Sequence, residues 1–439
     1  MDRRHTLRGL DLLDFEIALK RGERMNIDSI ERVGVAGFAK SGLYLAYLLL
    51  KLKKKVFITE GKDASAFPPV VIEKLRALGV SFEFGGHSEN FLKNTQLVIF
   101  SPGVDTVTST VGALCRKLNI MQVGEIEFCF WLTKARCVAI TGTNGKTTTT
   151  FLTYRVLKEN KGNVYLGGNI GIPFSSFVLK TKPRDIIVLE LSSFQLETII
   201  EFKPYVAAIT NIEPDHMDRY PQFKDYFEAK MNIFKNQSEN DFAVLNGKSE
   251  FLIDIKRRTR AKVVTFADEF ENENLSCAYR IAAGAFGLSK LDCQKVFNKF
   301  TGLPHRLQLI RKVNGVNFIN DSKATNPAST VWALKNLKGP IILIAGGKDK
   351  GLDYNQIIPY MKNVKKINLF GAAAKKIDNA LSKTAPTQFF RSLEDVIKGS
   401  LADAKPGDSV VLSPMCASYD MFKSYIDRGR QFKDIVNSL

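Results

Sequence analysis

Short apolar runs rich in β-branched residues recur along this chain, and each is followed by a stretch long enough for a helix. Val33-Gly34-Val35-Ala36, Val56-Phe57-Ile58-Thr59, Leu97-Val98-Ile99-Phe100 and Val138-Ala139-Ile140 open the series. Ile186-Ile187-Val188-Leu189, Val206-Ala207-Ala208-Ile209, Ile341-Ile342-Leu343-Ile344 and Val410-Val411-Leu412 continue it. A strand that is apolar at nearly every position must be covered on both faces, as strands of a parallel sheet are. Alternation with helical stretches, such as 41–53, therefore predicts an α/β fold made of repeated βαβ units. Folds of that type hold ligands beyond the carboxyl ends of their strands.

Length then sets the number of such bodies. At ~150 residues per domain, 439 residues give about three. The pattern changes near Val123-Gly124-Glu125 and again at Thr301-Gly302-Leu303-Pro304, which predicts domains over 26–124, 125–302 and 303–439. Residues 1–25 contain Asp2, Asp11, Asp14 and Glu16 and read as a charged leader with no assigned role. They lack the unbroken apolar core of a signal peptide. No apolar run approaches the ~20 residues that span a bilayer. Six cysteines without a CxxC pair predict buried free thiols in a reducing compartment, and hence a cytoplasmic protein.

The 63 Lys+Arg exceed the 45 Asp+Glu, for a net charge of +18. That excess raises a nucleic-acid-dependent ATPase or a phosphate-loop switch as one class of function. Such a protein would interleave basic residues with aromatics on one face. Here the cations fall in scattered runs, Lys51, Lys53, Lys54 and Lys55 or Arg257, Arg258 and Arg260, which read as solvated surface.

The strongest local signal is Thr141-Gly142-Thr143-Asn144-Gly145-Lys146-Thr147-Thr148, entered from an apolar strand and opening a helix. Backbone N–H groups of such a turn, with the helix dipole behind them, point at an anion. Lys146 is predicted to meet the β/γ phosphates of ATP and the Thr147 hydroxyl to sit on Mg²⁺. The earlier glycine lies three residues before Gly145, which departs from the GxxxxGK[ST] spacing. A phosphate site also needs hard oxygen ligands for the metal. Glu190 closes the strand Ile186–Leu189 and precedes the polar turn Leu191-Ser192-Ser193-Phe194-Gln195, so it is the candidate.

Only four histidines exist, and His216 and His305 lie in dense polar clusters, Asp215-His216-Met217-Asp218-Arg219 and Pro304-His305-Arg306. Farther on, Asp321-Ser322-Lys323-Ala324-Thr325-Asn326-Pro327, Gly346-Gly347-Lys348-Asp349-Lys350-Gly351 and Ser413-Pro414-Met415-Cys416-Ala417-Ser418-Tyr419-Asp420 each follow an apolar strand. Three polar loops on one edge of one sheet predict a ligand-facing rim.

In this order, together with Glu228-Ala229-Lys230, these segments resemble the Mur ligases, the ATP-dependent amide-bond ligases of peptidoglycan precursor synthesis. The resemblance runs from about Glu31 to the C-terminus, and the segment 412–422 is similar to the branch that adds D-glutamate. It implies a Rossmann-like N-terminal domain, a central phosphate-loop ATPase domain and a Rossmann-like C-terminal domain. It also implies that ATP phosphorylates the carboxylate of UDP-N-acetylmuramoyl-L-alanine and that D-glutamate attacks the acyl phosphate. Sister Mur ligases and folylpolyglutamate synthase-like ligases are the neighbouring alternatives.

Site roles follow from the same resemblance. Lys146, His216 and Lys230 are implied as catalytic. Thr147 and Glu190 would hold one Mg²⁺; His216 and Lys230, the latter carbamylated, would serve a second. Gly142 to Thr148, Asn274, Arg306, Asp321 and Lys323 would contact ATP. The turn Phe38, Ala39, Lys40 and Ser41, with Glu60, Ser101, Pro102, Gly103, Asn169, Ser192 and His216, would receive the UDP substrate. Thr325, Lys350, Ser418 and Tyr425 would surround D-glutamate. The family places a pair of asparagines near the adenine, and here Cys277 stands where the second would be. No nucleic acid and no membrane insertion are expected, and the protein is expected to be a monomer.

Overall fold

The computed structural model describes residues 27–439 apart from Asp218, Thr301 and Lys350. The leader 1–25 lies outside the described residues.

Three sheets follow one another. The first holds β1 (Arg32–Ala36), β2 (Lys55–Glu60), β3 (Ser81–Phe84), β4 (Leu97–Phe100) and β5 (Met121–Gly124), in the order β3-β2-β1-β4-β5. The second holds β6 (Arg136–Thr141), β7 (Val164–Gly168), β8 (Ile186–Glu190), β9 (Val206–Ile209), β10 (Phe242–Asn246) and β11 (Lys262–Phe266), in the order β11-β10-β9-β6-β8-β7. Every pairing in these two sheets is parallel. The third holds β12 (Gln308–Val313), β13 (Val316–Asn320), β14 (Ile341–Gly346), β15 (Val364–Phe370), β16 (Thr387–Phe389) and β17 (Ser409–Leu412), in the order β12-β13-β17-β14-β15-β16. Only β12 is antiparallel to its neighbour there.

The apolar runs explain this layout. β4, β8, β9, β14 and β17 are buried at every residue, as strands covered on both faces must be. Helices used below are α1 (Lys40–Lys51), α2 (Glu125–Trp131), α3 (Lys146–Lys161), α4 (Phe223–Met231), α5 (Glu273–Phe286) and α6 (Tyr425–Ser438).

One apolar core runs from Val33, Val35 and Ile58 of the first sheet through Ile126 and Phe128 of α2 to Ala139, Ile187 and Leu189 of the second. The chain up to Lys299 consequently forms one compact unit, and Phe300–Leu439 forms another. The expectation of separate bodies over 26–124 and 125–302 thus meets two sheets joined by a common interior. Within that interior the Glu127 carboxylate accepts from the backbone N–H groups of Ile200, Glu201 and Phe202 and from Trp131 Nε1, at 2.7–3.0 Å. Four donors on one buried carboxylate satisfy it fully and tie α2 to the chain before β9.

All six cysteines are buried free thiols. No helix among the described residues is long and apolar enough to cross a membrane.

Candidate active site

The turn between β6 and α3 is moulded by the strand beside it. Thr143 N donates to Asn211 O at 2.9 Å and Asn144 N to Asn211 Oδ1 at 2.8 Å. Thr210 Oγ1 donates to Asn144 O at 2.6 Å, and Thr143 Oγ1 reaches Glu213 O at 3.0 Å and Tyr226 Oη at 3.1 Å. Residues 210–213 leave the end of β9, which pairs with β6, so the sheet register delivers them to the turn.

Two glycines are required here. Gly142 has φ +144°, and a Cβ on it would lie 1.9 Å from Thr210 Oγ1. Gly145 has φ +77°, and its Cβ would lie 2.2 Å from Asn274 Oδ1. Left-handed backbone and close approach both exclude a side chain.

Lys146 Nζ donates to Gly142 O at 2.8 Å and Thr143 O at 2.7 Å, so the lysine lies over its own loop. Lys230 approaches the same carbonyl from α4. Its side chain is 1% exposed, its Nζ donates to Gly142 O at 2.8 Å, and it stands 4.5 Å from the centroid of Tyr226. Burial, reinforced by the Lys146 charge, pushes the Lys230 pKa well below the usual lysine range, against the opposing pull of Asp215 and Glu190.

Glu190 ends β8, opposite Ile140 of β6. Its Oε1 accepts from Asn169 Nδ2 at 2.7 Å, while its Oε2 is buried with no hydrogen-bond partner among the described residues. A buried carboxylate oxygen without a donor is costly unless a cation meets it. Thr147, one residue into α3, is buried at the same edge. No cluster of three or more His, Cys, Asp or Glu side chains suited to a metal occurs among the described residues. A divalent cation here would take few protein ligands and complete its shell from phosphate and water, as Mg²⁺ does at nucleotide sites. The donor set fits that ion.

Lys146, Asn169 and Lys230 line one cleft of about 340 Å³, together with Pro102, Gly103, Ser192, His216 and Tyr226 among others. His216 has φ +57°, its ring packs against Phe194 with centroids 4.8 Å apart, and its Nε2 is 3.7 Å from Asp215 Oδ2. Ser192 caps the short helix Ser193–Leu196 by a reciprocal pair of bonds with Gln195.

The first-sheet residues expected at the UDP substrate also hold one another in place. Phe38 is 4% exposed, with its ring among Phe67, Phe82 and Phe84, so its side chain belongs to the core. Its N–H donates to Glu60 Oε2 at 2.7 Å, and Lys62 N donates to Glu60 Oε1 at 3.0 Å. Glu60 thus organises the turn after β1. Ala39 precedes α1, and Lys40 Nζ donates to Gly171 O at 2.6 Å, beyond β7 of the second sheet. Ser41 shares a hydrogen bond with the buried Glu125. Ser101 Oγ donates to Gly37 O at 3.1 Å. Asn274, at the start of α5, accepts from Thr149 Oγ1 at 3.1 Å and braces the phosphate turn from behind. Cys277, one turn on, is fully buried beside Val138 and Ile140.

In the second unit the strand ends of β13, β17 and β14 do lie on one edge, because the three are adjacent and parallel. Asp321 accepts from Ser413 Oγ at 2.8 Å and Leu307 N at 3.2 Å, and burial raises its pKa to about 7 despite the Arg306 charge nearby. Lys323 Nζ is 5.9 Å from the ring centroid of Tyr425, and Thr325 N donates to Lys323 O at 2.9 Å. Ser418 is buried in the loop after β17. Lys350 lies outside the described residues.

Sequence reasoning passed over Arg428. It is fully buried and donates to Ser322 Oγ, Ser322 O, Cys416 O and Ala417 O, at 2.9–3.5 Å. It also passed over Asn211, Glu213 and Tyr226, although Asn211 and Glu213 stand directly after an apolar strand, which was the available signal.

Comparison with known proteins adds the following. The Mur ligase middle domain matches residues 140–319, and the Mur ligase, glutamate ligase domain matches residues 305–416. The chain is 38% identical to the UDP-N-acetylmuramoylalanine--D-glutamate ligase of Thermoanaerobacter pseudethanolicus, over 93% of this chain and 98% of that protein. It is 35% identical to the protein of the same name from Bacillus cereus, over 92% and 97%. Among solved structures, the MurF ligase from Thermotoga maritima in complex with ADP shares the fold, with a TM-score of 0.59 at 16% identity, covering 94% of this chain and 100% of that one. A pseudomurein peptide ligase type C from Methanothermus fervidus gives 0.56 at 16% identity, covering 93% and 99%.

Proposed function

Because the chain belongs to the Mur ligase family, with two family domains matched and relatives alike from end to end, we propose that it joins D-glutamate to UDP-N-acetylmuramoyl-L-alanine at the expense of ATP. The observation that carries the chemistry is the convergence of Lys146, Glu190, His216 and Lys230 at one strand-end edge, most of them lining a single cleft. The substrate assignment rests on the shared name of the relatives.

In this reading the γ-phosphoryl group of ATP passes to the alanyl carboxylate and ADP leaves. The amine of D-glutamate then attacks the acyl phosphate carbon, a tetrahedral intermediate forms, and phosphate departs as the amide is made. Two anions must meet in the first step. The turn 142–147 offers its N–H groups and the α3 dipole to the phosphates, and Lys146 leaves the Gly142 and Thr143 carbonyls to follow the transferring group. Thr147 and Glu190 would hold one Mg²⁺, and His216 with a carbamylated Lys230 a second; bound there, the ions would neutralise the phosphate oxygens. Lys230 suits carbamylation because a depressed pKa leaves a neutral amine. Its nitrogen can bond to the carbon of CO₂ and release a proton, which turns a cation into an anionic oxygen ligand. Asn169 holds Glu190 in place for its ion.

We assign ATP contacts to Asn274, Arg306, Asp321 and Lys323. UDP-substrate contacts go to the turn 38–41, Glu60, Ser101, Pro102, Gly103 and Ser192, and D-glutamate contacts to Thr325, Lys350, Ser418 and Tyr425. The segments 26–124, 125–302 and 303–439 serve UDP substrate, ATP, and amino acid with ATP respectively. The protein works as a cytoplasmic monomer in cell-wall precursor synthesis, on which cell shape and division depend.

The test is phosphate release by purified protein. Release is expected only when ATP, Mg²⁺, UDP-N-acetylmuramoyl-L-alanine and D-glutamate are all present. Release indifferent to D-glutamate, or faster with another amino acid, overturns the proposal.

A further inference from the structure

We propose that Arg219 is a positioning residue that holds the loop 101–108 of the first sheet in register with the cleft of the second. Arg219 lies three residues after His216. Its Nη2 is 2.5 Å from Glu197 Oε2 and 3.4 Å from Asp105 Oδ2, and its guanidinium carbon stands 4.3 Å above the Phe194 ring. The partners come from separate places. Asp105 follows β4 of the first sheet, whereas Phe194 and Glu197 follow β8 of the second.

Each partner is itself fixed. Asp105 Oδ1 accepts from Val107 N at 2.7 Å and Thr108 N at 2.9 Å, so the carboxylate that meets Arg219 also shapes its own loop. That loop begins with Pro102 and Gly103, which line the cleft. Glu197 also takes the Tyr220 hydroxyl. Phe194 is in contact with both Arg219 and the His216 ring. One guanidinium thus joins the loop at one wall of the cleft to the histidine at another.

The electrostatics favour this arrangement. Asp105 and Glu197 are both about three-quarters covered at their side chains, as is Arg219. Two carboxylates that meet one nitrogen repel unless it is part of a cation, and Nη2 hydrogen-bonds Glu197 and faces Asp105 while the flat guanidinium rests on a ring. Lysine has the charge without the flat face that rests on Phe194.

This inference rests on the reading that the cleft takes the UDP-linked substrate. Arg219→Ala is expected to lower kcat/KM for that substrate by about 10²-fold, the scale of a small misplacement of reacting groups. KM for ATP and for D-glutamate should stay unchanged. Arg219→Lys should recover part of the loss, and Asp105→Asn should raise KM for the UDP substrate. A simple structural stitch would instead lower Tm and leave every KM where it was, which overturns the proposal. If the wild type turns over no UDP-N-acetylmuramoyl-L-alanine, the reading fails but the positioning claim is still decided by hydrogen exchange. The amides of Val107 and Thr108 should exchange faster in Arg219→Ala without ligand, and unchanged protection overturns the claim.

Discussion

Lys146 and Lys230 donate to one acceptor, the carbonyl oxygen of Gly142, each from 2.8 Å. Two ammonium groups on one carbonyl repel, and the more buried of them, Lys230, is the one whose proton is weakly held. Lys230→Ala is expected to lose most activity in the phosphate-release assay. Added short carboxylates should restore part of it by occupying the vacated space as an oxygen ligand. Full activity in the variant, or no response to carboxylates, removes the carbamate from the mechanism.

Glu190 and Asn169 should separate as ligand and support. Glu190→Gln removes the charge proposed to hold the cation and is expected to abolish turnover at any Mg²⁺ concentration. Asn169→Ala keeps the carboxylate but frees it to rotate, a loss of about 10- to 100-fold in metal affinity or activity. Titration with Mg²⁺ distinguishes them, because only the Asn169 variant should recover as the ion is raised.

Gly145→Ala meets two obstacles, a φ of +77° and Asn274 Oδ1 at 2.2 Å from the new Cβ. The backbone alone costs about 1–2 kcal/mol for a residue with a Cβ. ATP binding measured by calorimetry should weaken or vanish. Pairing it with Asn274→Ala opens the space but leaves the backbone cost, so the double variant should recover only in part.

The Asp321 carboxyl sits at about 7 in the folded protein against an ordinary 3.8. The folded state therefore keeps a proton that the unfolded state releases, and this contribution to stability is complete below about pH 4 and is lost as pH rises through about 7. The loss amounts to about 4 kcal/mol at ~1.4 kcal/mol per pH unit. Asp321→Asn should flatten that slope. Pulse proteolysis in urea, reading cleavage within 300–439 at pH 5 and pH 8, checks it; a slope retained in the variant assigns the effect to another group.

The strands and the phosphate turn were legible because their signals are local. Continuous apolar runs such as 186–189 report burial on both faces, and 141–148 carries glycine, lysine and threonine at neighbouring positions. The three strand-end loops of the last sheet were legible for the same reason. What escaped was set by distance along the chain. Asn211 grips Asn144 from 67 residues away, and Arg428 reaches Ser322 across 106. On the periodicity of α6 an arginine reads as surface. Only the pairing of β13 with β17 brings Ser322 to the loop after β17, where Arg428 finds carbonyls instead of water. The place of the Phe38 ring was equally remote from local signals: the aromatic residues at 67, 82 and 84 supply a core for it, while its backbone N–H reaches Glu60.

The position of β17 bears on how the protein is made. The last strand in the sequence is an interior strand of the third sheet, between β13 and β14. While the ribosomal tunnel still holds residues 409–412, β13 and β14 have no common neighbour, and their apolar faces wait unpaired. The unit up to Lys299 has all its strands by then and can close as it emerges. The unit that follows can close only after residues 409–412 are free. A ribosome stalled while its tunnel still holds residues 409–412 would therefore expose one finished body and one open sheet, and protease sensitivity at that stage would be confined to the second.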